Sequence, residues 1–163
     1  TQMQLIHAYF NNYMLQALSE KTISWVYAVD PCFKSNNLEF SKTQLQGGDK
    51  EGFEMIVPIS GQIMYDNVLP KYVFFFEDLT IEMDFSLGDI QSYGTKHSYK
   101  FNVGIEYLLW DNQNQKLASY GKLSTKRNLL SGLTSNTTYK EIFEYFAELI
   151  IKNSPIKNRP HTN

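Results

Sequence analysis

Tyr99-Lys100-Phe101-Asn102-Val103-Gly104-Ile105-Glu106-Tyr107-Leu108-Leu109-Trp110 is the stretch whose pattern decides the fold. Its odd positions from Tyr99 to Leu109 are all apolar or aromatic, with Lys100, Asn102, Gly104 and Glu106 between them. Successive side chains of a strand point to opposite faces, so this alternation predicts a long strand with one buried face. Asp111 to Gln115 is a polar turn. Lys116 to Thr125 is extended again through Leu117, Ala118, Tyr120 and Leu123, which completes a β-hairpin.

The helix that should cover this hairpin follows. Asn128 to Thr137 is rich in Ser, Thr, Asn and Gly and predicts a loop. Thr138 with Glu141 three residues on forms a capping box, in which hydroxyl and carboxylate satisfy free amides of the first turn. Tyr139, Ile142, Phe143, Phe146, Leu149 and Ile150 then make one apolar stripe, and Pro155 stops the helix. A stripe of this kind must bury against something, and the odd face of the hairpin is the nearest apolar surface. Asn136-Thr137-Thr138 also matches a glycosylation sequon, although capping accounts for the same residues.

Upstream, Gln2 to Ser19 repeats apolar residues at steps of three and four and predicts a helix. Thr22 to Val29 alternates and reads as a strand that Asp30-Pro31 ends. Phe33 to Gly52 is polar and is expected to be mostly loop, with a short extended piece near Leu38 to Phe40. Extended character returns over Phe53 to Met64, although Pro58 disfavours a central strand there. Tyr72 to Phe85 is a second long strand. Its run Val73 to Phe76 is apolar on both faces, and Glu77-Asp78 interrupts it where a bulge is a natural repair.

These segments predict an α+β fold. One antiparallel or mixed sheet of about five strands carries the N- and C-terminal helices on one face. Residues 1–155 form a single domain, and 156–163 form a flexible polar tail.

Composition excludes several function classes. The net charge is −2, and no basic block provides a footprint for nucleic acid. No stretch reaches the ~20 apolar residues of a membrane helix. Cys32 is the one cysteine, so neither an internal disulfide nor a multi-thiolate metal site can form. His7, His97 and His161 lack metal-ligand spacing, and no nucleophile elbow or phosphate-binding glycine loop occurs. No catalytic, cofactor or metal residues are assigned. Glu77 and Asp78 are the candidate ligand-binding or functional acidic residues, because carboxylates seldom follow four apolar positions. Leu108 and Trp110 form an apolar pair on the otherwise polar face of the hairpin strand. Such a pair calls for cover by another segment or for a contact patch, which makes both candidate partner contacts.

The run Val103 to Asp111, the turn, Lys116-Leu117-Ala118-Ser119-Tyr120-Gly121-Lys122 and the closing amphipathic helix resemble the C-terminal half of small Gram-negative envelope lipoproteins. This group includes the amino-terminal domain of TolB, auxiliary lipoproteins of envelope transporters and lipopolysaccharide-assembly lipoproteins. Leu69-Pro70-Lys71-Tyr72-Val73-Phe74-Phe75 is similar to the strand that precedes the hairpin in that group. The resemblance implies a non-enzymatic periplasmic accessory domain for envelope assembly or transport, with an envelope protein or lipid as partner. It also implies an N-terminal lipid anchor. Cys32 is internal and cannot carry one, so the anchor is expected on a removed segment before Thr1. The loop from Phe33 to Gly52 is a further candidate contact element. Two other classes remain open. A small-molecule or lipid-binding module needs a pocket near Phe74 to Phe76. An enzyme needs polar groups converging around Glu77 or His97.

Overall fold

The computed structural model describes residues 2–22, 26, 37–47, 51–87, 97–129 and 136–156. The elements run α1 (Gln2–Lys21), β1 (Glu39–Gln46), β2 (Gly52–Ser60), β3 (Tyr72–Leu87), β4 (His97–Asp111), β5 (Lys116–Leu129) and α2 (Asn136–Lys152). The fold is α+β, as expected. The single five-stranded sheet is not what forms. β1 and β2 pair only with each other, and a separate sheet has the order β3-β4-β5 among the described residues.

The chain packs as two compact units. One takes the helices with Leu79–Gly104 and the chain from Leu123 onward. In it α1 lies on α2, and Phe10 meets Phe143 edge-on at 5.1 Å. Phe101 of β4 meets Tyr139 of α2 at 5.5 Å, so the first part of the odd face of β4 packs on the stripe of α2. Ile142, Phe143, Phe146, Ala147 and Ile150 are completely buried. Burial of this stripe, rather than helix propensity, is the main source of stability for α2. The Lys21–Glu148 ion pair at 2.7 Å is solvent-exposed and adds little. The helix begins two residues before Thr138, so Thr138 and Glu141 lie inside it and the predicted capping box is not at its end.

The second unit comprises Val29–Asp78 and Ile105–Lys122. Here β1 pairs antiparallel with β2, from Gln46 opposite Gly52 to Phe40 opposite Pro58. This corrects the loop expected between Phe33 and Gly52. Only Leu45 of β1 is a buried apolar residue, so its sequence shows no alternation, and pairing with β2 makes it a strand. The inner face of the ribbon places Leu45, Met55 and Val57 against Leu108, with Phe53, Phe75, Leu117 and Tyr120 around them. A two-stranded ribbon is marginal alone and gains its stability by burying one face.

Several expected features fall elsewhere. The strand of Thr22 to Val29 lies outside the described residues except for Thr22 and Val26, as do Cys32, His161 and the side chains of His97 and Tyr99. β5 continues to Leu129, beyond the expected end at Thr125. His7 is exposed on α1.

Candidate functional site

Glu77 and Asp78 lie in mid-β3, as predicted. Asp78 takes φ 47°, the left-handed conformation found at a bulge. This break separates the apolar run Val73 to Phe76 from the alternating half of β3. Asp78 is exposed and Glu77 half-buried.

Glu77 is not alone on the sheet. Glu106 of β4 is buried, and its carboxylate pairs with the Lys122 ammonium of β5. Lys122 also lies over the Phe53 ring, 4.8 Å from its centroid. Partial burial raises the Glu77 carboxyl above its ordinary value, and the charges of Asp78 and Glu106 raise it further. Of these carboxylates, Glu106 is the one paired with Lys122. Among the described residues no group of three or more His, Cys, Asp and Glu is arranged to hold a metal ion.

Glu106 and Lys122 were not singled out from the sequence. Glu106 occupies an ordinary polar position in an alternating strand, and its ion-pair partner Lys122 lies on the next strand. The signal within reach was Leu108, an apolar residue on the same face, which called either for cover by another segment or for a contact patch.

Leu108 and Trp110 are both buried, at 0% and 1% exposure, and neither offers a free contact surface. Of the two outcomes open to this pair, cover by another segment is the one realised. Leu108 sits in the β1–β2 cluster, and the Trp110 indole Nε1 donates to the Gly61 carbonyl at 3.3 Å. The pair is a correction to the predicted contact residues, because the apolar face found its partner within the chain.

The segment after β2 is held by a residue that reads in the sequence as mere turn. Asn112 is completely buried. Its Oδ1 accepts from the Ile63 N–H at 2.8 Å, and its Nδ2 donates to the carbonyls of Ile63 and Pro70, both at 2.9 Å. Its own N–H donates to the Lys71 carbonyl at 2.9 Å. Between these anchors the chain reverses at Asp66-Asn67, whose φ values of 45° and 60° are those of a type I′ turn. Tyr65 and Val68 close that turn by reciprocal backbone bonds of 2.9 and 2.8 Å.

Five of the eight large apolar side chains left exposed among the described residues belong to the second unit, the others being Leu5, Met83 and Tyr145. Phe40, Ile56, Ile59, Met64 and Val68 are 41–62% exposed. All five belong to the ribbon and the segment that Asn112 holds. Phe40 keeps one edge on Phe75, with ring centroids 5.9 Å apart. On β3, Phe74 and Phe76 stack at 5.8 Å and are half-buried. No family model matches this chain, and comparison with curated proteins and with solved structures finds no match.

Proposed function

We propose that the protein is a non-catalytic accessory domain of the Gram-negative cell envelope, working in assembly or transport through contact with an envelope protein or lipid. Its compartment on this reading is the periplasm, with a lipid anchor on chain preceding Thr1. The observation that carries the reading is the exposed apolar set Phe40, Ile56, Ile59, Met64 and Val68, within a hairpin and loop whose inner side is already packed. Exposed apolar groups concentrated in one region are characteristic of contact surfaces. The contact residues are thus moved from Leu108 and Trp110 to the segment that covers them. Fractionation of cells expressing the full-length gene product tests the compartment. Recovery with the envelope is expected, and recovery with the cytosol overturns it. In the same cells, Ile56→Lys with Ile59→Lys should weaken the envelope barrier to detergents at unchanged protein level. An intact barrier counts against the surface.

A second reading is a small-molecule or lipid-binding module. The stacked, half-buried Phe74–Phe76 pair favours it, because apolar ligands are held by such rings. A lipid that raises Tm in the parent protein but not in Phe74→Ala supports this reading. A lipid panel that leaves Tm unchanged removes it.

A further inference from the structure

We draw no further inference here: the strongest candidate, the Glu77–Glu106 carboxylates beside Lys122 on the β3-β4-β5 sheet, is an acidic cluster whose buried member already has its lysine, and no second observation points to a ligand.

Discussion

The side chain of Asn112 pairs with Ile63 as a neighbouring strand would. Its amide accepts from the Ile63 N–H and donates to the Ile63 carbonyl, at 2.8 and 2.9 Å. A single side chain thereby replaces a rung of backbone ladder, and its third bond holds Pro70. Asn112→Ala leaves those buried backbone groups without partners. The expected loss is about 3 kcal/mol, since each unsatisfied buried group costs roughly 1–3 kcal/mol. Asn112→Asp keeps the shape but sets a carboxylate against two carbonyls. It should be at least as destabilising at pH 7 and should recover in part when acidified. Urea unfolding of both variants at pH 7 and pH 4 measures this. An Asn112→Ala protein of parental stability contradicts the clamp.

Leu108 and Trp110 are core residues of the second unit, so their substitution should be read out in stability. Leu108→Ala is expected to cost about 2–5 kcal/mol and Trp110→Ala about 3–5 kcal/mol. Calorimetric Tm values check this. Variants with parental Tm and a selective loss of partner binding restore the two residues to a contact surface.

The Glu106–Lys122 pair predicts an asymmetry. Lys122→Ala leaves a buried carboxylate without its cation and removes the ammonium from the Phe53 ring. Lys122 itself is half-exposed, so water takes up part of the loss, and about 1–3 kcal/mol is expected. The double variant Lys122→Ala with Glu106→Gln should be more stable than Lys122→Ala alone. A double-mutant cycle by denaturant unfolding decides it. Additive effects of the two changes refute the coupling.

Glu77 should make stability depend on pH in a stated direction. Its carboxyl is raised in the folded protein from an ordinary value of 4.5, by burial first and by Asp78 and Glu106 second. The folded state therefore binds the proton more tightly than the unfolded chain. This contribution is fully present below pH 4.5 and is lost as pH rises through the folded value. Asp111 acts in the opposite sense. Its carboxylate accepts from the side chain and backbone of Asn114 and is held below 3.8, so its contribution is lost on acidification below that value. Glu77→Gln should raise Tm at pH 7 and have no such effect at pH 4. Equal Tm differences at the two pH values exclude this role for Glu77.

Much of the first unit was legible because its signals are local. The odd positions of β4 and the stripe of α2 each state their own periodicity, and Phe101 on Tyr139 is the contact both require. The interruption at Glu77-Asp78 was legible too, since two carboxylates after an apolar run need a backbone that turns them to water. The second unit was harder. Only Leu45 of β1 is a buried apolar residue, and polar residues that pair for the sake of one buried neighbour carry no alternation. The capping box failed for a related reason: its residues suit a helix start, but the α2 backbone begins earlier. In the candidate site, Glu77 and Asp78 were visible as an anomaly, whereas Glu106 and Lys122 were ordinary polar positions until the strands met.

The amino-acid sequence by itself determined the α+β class, the β4–β5 hairpin and the amphipathic C-terminal helix. Periods of two and 3.6 residues are properties of a single segment and need no partner to be read. Tertiary structure decided that the strands divide into two sheets, that Leu108 and Trp110 are covered, and that Glu106 meets Lys122. It also made Asn112 a clamp in place of a turn residue. Each of these depends on which distant segment lies over a given face, as Leu45 and Met55 do over Leu108. Such a choice is set by the burial free energy of the whole unit, which no local pattern contains.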